Sequence, residues 1–238
     1  MEPIDILMTT YLRREITEKV ILELHKRTKR PYRLLVIDNG SWDGTRDMLK
    51  NLYPEYIDVL FLLDNNLGLE RARNFLLPLM QSKYVIFSDN DIMPQDSDPD
   101  WLTQLINLFE RRKDEYGAIA LRPQVMVGSG NVFEKCDDEI LGFPAAGYLR
   151  ISEKEDILKM GGWRNDFVNN GLGHEENYMK DKFKEVLNKK VGYAKDIRAW
   201  HFFSDGNWGY PDGVTAGHRP IWPMPKDNNF DWQTCIPR

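Results

Sequence analysis

The chain has 238 residues, 42% of them apolar and 29% charged, with a formal net charge of −5. Such a length buries a full core, as one large α/β domain or two small ones, and the composition is that of an ordinary globular protein. Acids and bases are interspersed along the sequence, which argues against a broad nucleic-acid surface while leaving room for a local basic groove.

Residues 1–11 carry no basic segment followed by a long apolar run, so no secretory signal is expected. The longest apolar stretches, such as 59–63, are far too short to span a bilayer. The only cysteines, Cys136 and Cys235, make no disulfide framework, which fits a reducing, cytoplasmic setting.

Residues 4–9 read as a first strand. Ile16, Val20 and Leu24 then recur at helical spacing in a helix that ends before Pro31. A second strand at 32–37 runs into the turn-rich Asp38-Asn39-Gly40-Ser41-Trp42-Asp43-Gly44-Thr45, and Thr45 opens a helix through Leu52. A third strand at 57–63 is followed by Asp64-Asn65-Asn66-Leu67-Gly68 and a helix over 69–80. The apolar run Tyr84-Val85-Ile86-Phe87 is a fourth strand that breaks into Ser88-Asp89-Asn90-Asp91. This alternation predicts parallel strands joined by right-handed helical crossovers.

Beyond Pro94 the pattern loosens. A helix is expected over 101–112, strands at 118–121 and 147–151, and a short helix after Ser152 ended by Gly161-Gly162-Trp163. A bend at Asn169-Asn170-Gly171-Leu172-Gly173 enters a helix from near Glu175 to about Asn188. Short strands are expected at 191–194 and 198–201, and the tail from Phe202 is rich in Gly, Pro, Trp and Asn. We expect a single domain, with 1–94 forming one half, 95–201 a less regular second half, and 202–238 an irregular aromatic tail.

The loops after Thr9, Asp38, Asn66 and Asp89 all follow strands of one parallel sheet, so they gather on one edge, where ligands of open α/β sheets bind. Asp89 and Asp91 form a D-x-D, a hard-oxygen site for a divalent cation. A solvated surface turn carries the same triplet by chance. Asp38-Asn39-Gly40 also reads as a plain tight turn, and Arg71 as a solvated helix position.

Four motifs in order, TTY at Thr9 to Tyr11, VIDNGSWDGT at Val36 to Thr45, NLGLERARN at Asn66 to Asn74 and FSDNDIMP at Phe87 to Pro94, resemble the GT-A, family 2-like inverting nucleotide-sugar glycosyltransferases. The resemblance implies a mostly parallel central sheet flanked by helices, with a less regular acceptor-side C-terminal half. It implies a donor site made from Thr9, Tyr11, Asp38, Asn66, Arg73 and Asp89, with Asp91, Asp89 and His201 as metal ligands. The metal would be Mn²⁺ or Mg²⁺, and an imidazole beside oxygen ligands favours Mn²⁺. The family's acidic pair at the mouth of a helix matches Glu175-Glu176, where the common form is Glu-Asp. Glu176 would be the base that takes the acceptor's proton, with Glu175 on an acceptor hydroxyl. Against this, a helix amino terminus lowers a carboxylate's pKa and weakens a base.

The partners so implied are a nucleoside-diphosphate sugar, with UDP the commonest base, and a glycan or other hydroxyl-bearing acceptor, a nucleic-acid acceptor included. His174 and His218 have weaker claims as ligands. Trp163, Trp208, Tyr210 and Trp222 stack on sugars or pack the fold. Three other readings compete. An aspartyl-nucleophile phosphatase places its D-x-D after the first strand, not the fourth. A sugar-phosphate nucleotidyltransferase needs a glycine-rich loop where Thr9-Thr10-Tyr11-Leu12-Arg13 stands. A catalytically degenerate domain would bind a nucleotide sugar or glycan without turnover.

Overall fold

The computed structural model describes residues 3–123, 134–135, 137–142, 149–164 and 174–201. The first half contains β1 (Ile4–Thr10), α1 (Arg14–Arg27), β2 (Tyr32–Asp38), α2 (Thr45–Leu52), β3 (Val59–Leu62), α3 (Leu69–Leu76, prolonged by a 3-10 turn at Leu77–Leu79) and β4 (Tyr84–Asp89). Then come β5 (Ile92–Pro94), α4 (Trp101–Arg112), β6 (Tyr116–Pro123), β7 (Glu134–Lys135), β8 (Ile140–Gly142), β9 (Arg150–Glu153), α5 (Lys154–Lys159), α6 (His174–Leu187) and β10 (Lys190–His201). All these strands join one sheet in the order β3-β2-β1-β4-β9-β6-β10-β8-β7, with β5 pairing β10 off that path.

The expected alternation holds through β4, and β1, β2, β3 and β4 are parallel. Side chains alternate along each strand to feed two layers. Ile6, Met8, Leu34 and Val36 pack with Val20 and Leu24 of α1, Leu49 of α2 and Trp101, Leu105 and Phe109 of α4. Leu7, Leu35 and Ile37 pack on the other face with Leu76 of α3, Ile157 of α5 and Met179 and Phe183 of α6. α4 begins where Asp100 Oδ1 accepts from the Leu102 and Thr103 amides, pairing two otherwise orphaned donors.

The second half departs from a purely parallel sheet. β9 runs antiparallel to both β4 and β6. A parallel return needs a crossover that carries the chain back to the opposite edge, whereas a strand re-entering from the edge it left runs antiparallel. Hence Arg150, at the start of β9, pairs with Phe87 beside the carboxyl end of β4. The two short strands expected at 191–194 and 198–201 are one strand, β10, whose register on β6 shifts between Ala194 and Arg198. Beyond the shift β10 still pairs with β6 through Arg198 and Ala199, while Ala199, Trp200 and His201 pair with β5, placing His201 opposite Ile92.

Among the described residues no helix is long and apolar enough to cross a membrane. Cys136, Cys235 and the tail 202–238, with His218, Trp208, Tyr210 and Trp222, lie outside the described residues, as does the Gly171-Leu172-Gly173 bend.

α6 is seated on β6 by a glycine, since a Cβ at Gly117 would lie 2.0 Å from Phe183 Cδ1. Gly117→Ala is therefore expected to destabilise the protein by about 1–3 kcal/mol through overpacking, measured as a lower urea midpoint at constant slope. Adding Phe183→Leu should restore part of the loss, because the two sites share one contact.

Candidate active site

The carboxyl edge of the sheet collects the four polar loops. Register sets their neighbours: on β1, Thr9 lies beside Asp89 of β4 and Thr10 beside Asp38 of β2. Asp38 is fully buried. Its Oδ1 accepts from Thr10 Oγ1 at 3.1 Å and its Oδ2 from the Ser41 amide at 2.9 Å. Burial pushes its carboxyl above the ordinary value, and the Ser41 and Thr10 hydrogen bonds work against that. Asp38 thus shapes the loop after β2 and is enclosed rather than presented.

That loop locks onto the next one. Asn39 Nδ2 donates to Asn66 Oδ1 and Asn39 Oδ1 accepts from the Leu67 amide, both at 2.8 Å. Gly40 has φ +80°, and a Cβ there would meet the Asn65 backbone at 2.7 Å, so only glycine permits both the turn and the approach. Asn66 is half-buried, as is Tyr11 in the loop after β1. Thr9 is buried, and among the described residues its Oγ1 has no hydrogen-bond partner.

Asp89 ends β4, and Asn90-Asp91 form the two-residue turn into β5. The pairing of His201 with Ile92 brings His201 Nε2 to 3.3 Å from Asp91 Oδ2, across 110 residues of sequence. The same oxygen accepts from Arg13 Nη1. Burial works to raise the Asp91 carboxyl, but His201 and Arg13 outweigh it and hold it below the ordinary value. A carboxylate oxygen and an imidazole nitrogen that converge fit a divalent ion whose other positions a diphosphate and water would fill. Asp89 is held by Arg73, whose Nη2 binds its Oδ1 at 2.7 Å, and its side chain stays 35% exposed. Among the described residues no three acidic, cysteine or histidine groups cluster closely enough to hold a metal by themselves.

Arg73 has no exposed surface. It reaches the loop edge through carboxylates, with Nη1 2.5 Å from Glu175 Oε1, a charge contact off the hydrogen-bond direction. Arg150 Nη2 donates to that same oxygen at 2.8 Å, and so does Trp163 Nε1. Trp163 is buried edge-on against Phe87, so it packs the site from beneath. Gly162, at φ +74°, turns the chain there, and Asn74 clamps Trp163 through two backbone hydrogen bonds of 2.8 Å. Burial works to raise Glu175, but the Arg150 and Arg73 cations overcome it and hold the carboxyl well below its ordinary value.

Glu176, the next residue, takes the opposite course. Among the described residues its Oε2 is buried without a hydrogen-bond partner. Burial first, and the fixed Glu175 charge second, push its carboxyl up to about 7. The side chain of His174 lies outside the described residues, and Arg71 is half-buried.

Arg150 and Arg13 were not legible as site residues in the sequence. Arg150 gives no local signal beyond an arginine in a short strand. For Arg13 the place was readable, two residues after TTY, but its partner was not.

The chain matches the family model Glycosyl transferase family 2 over residues 5–132. It is 30% identical over 90 residues to a Bacillus subtilis (strain 168) protein named for teichuronic acid biosynthesis, the glycosyltransferase TuaG, an alignment spanning 37% of this chain and 35% of that one. Its fold is similar to the mannosyltransferase PcManGT from Pyrobaculum calidifontis in complex with GDP-Man and Mn²⁺, with a TM-score of 0.66 at 16% identity, covering 86% of this chain and 58% of the other. GalNAc-T7 with UDP, GalNAc and Mn²⁺ gives a TM-score of 0.68 at 14% identity, over 84% and 44%. S. aureus TarS in complex with UDP-GlcNAc gives 0.61 at 15%, over 86% and 60%. At these identities the likeness is one of fold, the GT-A arrangement, and the chain spans only part of each relative.

Removing Arg150 leaves a buried Glu175 with one cation fewer. Arg150→Met should cost about 3–5 kcal/mol at neutral pH, read from chemical denaturation. Because the folded Glu175 value is depressed, its stabilisation is fully present above the ordinary 4.5 and is lost as pH falls through the folded value. The gap between wild type and variant should therefore narrow on acidification.

Proposed function

The chain belongs to glycosyl transferase family 2, and from that premise we propose that it moves a sugar from a nucleoside-diphosphate sugar to an acceptor hydroxyl with inversion. Glu176 is the base, and Asp91 and His201 hold a divalent cation, Mn²⁺ ahead of Mg²⁺. The observation that carries this reading is the divided fate of the acidic pair. Glu175 is fixed as an anion by two buried arginines, while Glu176 keeps an oxygen with no hydrogen-bond partner among the described residues and a carboxyl raised to about 7. A base works best with a pKa near the operating pH.

As the acceptor oxygen attacks the anomeric carbon, Glu176 takes its proton. The bond from that carbon to the diphosphate oxygen breaks on the opposite face, which inverts the centre. A divalent ion, when bound, would offset the charge of the departing diphosphate. The joined loops 39–44 and 64–68, with Thr9 and Tyr11, form the donor cradle, and Asp89 meets the ribose side. Arg73 serves as a positioning residue that keeps Asp89 and Glu175 in fixed relation. Glu175 sets the charge beside the base in place of touching the acceptor. A UDP-sugar is the first donor to test, with GDP-sugars next because PcManGT binds GDP-Man.

Glu176→Gln should lower transfer by about 10²- to 10⁴-fold while donor affinity by calorimetry stays within error; undiminished transfer would move the base elsewhere. In the wild type the initial rate should rise with pH and flatten above about 7, the value of the folded Glu176, and the residual rate of the variant should lack that inflection. A thermal-shift panel of UDP-, GDP- and dTDP-sugars with and without Mn²⁺ identifies the donor. A stabilisation seen with one donor and requiring Mn²⁺ is the expected pattern, and no shift with any of them would favour a domain without turnover.

A further inference from the structure

Two consecutive non-glycine residues ahead of α1 lie in the left-handed region, Leu12 at φ 58° and Arg13 at φ 64°. Each such residue costs on the order of 1 kcal/mol and persists only where its surroundings over-determine it. Here they do. The Leu12 amide donates to Ser41 Oγ at 2.7 Å, and the Leu12 carbonyl accepts from Asn90 Nδ2 at 3.1 Å. Asn90 Nδ2 also donates to Thr17 Oγ1 at 2.8 Å. Asn90 is the middle residue of the D-x-D, so the turn bearing Asp91 is fastened to the loop bearing Arg13. The consequence is the ion pair of Arg13 Nη1 with Asp91 Oδ2, on the oxygen that His201 also approaches.

We propose that Arg13 is a diphosphate-binding residue that rests on Asp91, is displaced from it by the divalent cation, and then engages the diphosphate of the donor. This rests on the metal-assisted transfer proposed above. A guanidinium and a dication brought onto one carboxylate oxygen repel each other at short range, which favours release of the guanidinium when the ion binds. Asp91 is buried, and a buried carboxylate left unpaired is costly. Arg13 therefore balances the charge of the site before a metal arrives. Once released, its planar fork matches phosphate oxygens, and its 18% exposed side chain stands close to where they would lie. Metal and nucleotide are thereby coupled. The ion alone must break the Arg13–Asp91 contact, whereas a diphosphate replaces it, and each ligand aids the other by the same factor.

Arg13→Gly and Arg13→Asn remove the charge and suit the left-handed backbone. Free Mn²⁺ is followed by electron paramagnetic resonance, alone and with UDP or GDP, and nucleotide affinity by calorimetry in saturating Mn²⁺. Both variants should bind Mn²⁺ alone about tenfold more tightly and UDP or GDP about tenfold more weakly than wild type. Unchanged Mn²⁺ affinity, or a parallel loss of both affinities, would make Arg13 a scaffold residue and overturn the proposal. Tighter Mn²⁺ with unchanged nucleotide binding would overturn the diphosphate role. A wild type that binds no Mn²⁺ would sink the metal reading itself and this proposal with it, whereas normal wild-type binding with indifferent variants sinks this proposal alone.

Discussion

Arg73 carries a full charge with no surface exposed to water, between Asp89 of the fourth strand and Glu175 of the last helix. A guanidinium cannot shed its proton to escape burial, so it must be paired. Burial opposes its charge, and Glu175 and Asp89 more than restore it, holding the guanidinium above its ordinary value. That obligation fixes the distance between the two halves of the site. Asp89 sits at the edge of the β4 strand, Glu175 opens α6, and α3 holds the cation between them. A second arginine, Arg150, reaches Glu175 from β9, and Trp163 closes the contact from below.

The acidic pair shows how adjacent residues of one type diverge. Both occupy the first turn of α6, where the helix dipole favours an anion. Glu175 points into two cations and a tryptophan N–H and stays ionised. Glu176 has no such partner for its buried oxygen and feels its neighbour's charge. The objection that a helix terminus weakens a base applies to the first carboxylate and not to the second. Burial and a fixed like charge outweigh the dipole at Glu176.

The loop edge is held as one body by side-chain amides. Asn39 ties the second loop to the third, and Asn90 ties the D-x-D turn to the first. Asn and Asp are turn formers by local chemistry, and here the same groups bridge between loops. The D-x-D thus supplies three residues with three tasks. Asp89 answers to Arg73, Asn90 fastens the neighbouring loop, and Asp91 meets Arg13 and His201.

The first four strands, their helices, and the gathering of polar loops on one edge were legible in the sequence, because hydrophobic period and turn chemistry are local properties. So were the identities of Asp91, Glu175, Glu176 and His201 as candidates, since their motifs sit at strand and helix ends. What the sequence could not convey is which of them meet. His201 reaches Asp91 because the end of β10 pairs with β5, and Arg150 reaches Glu175 because β9 enters the sheet antiparallel. Nor could it divide the roles of Asp38 and Asp89, one enclosed by its own loop and the other held by a buried cation. Contacts across such separations depend on strand order and register, which no window of neighbouring residues encodes. Tertiary packing therefore decided which carboxylate is paired with buried cations and which is raised by burial and its neighbour's charge.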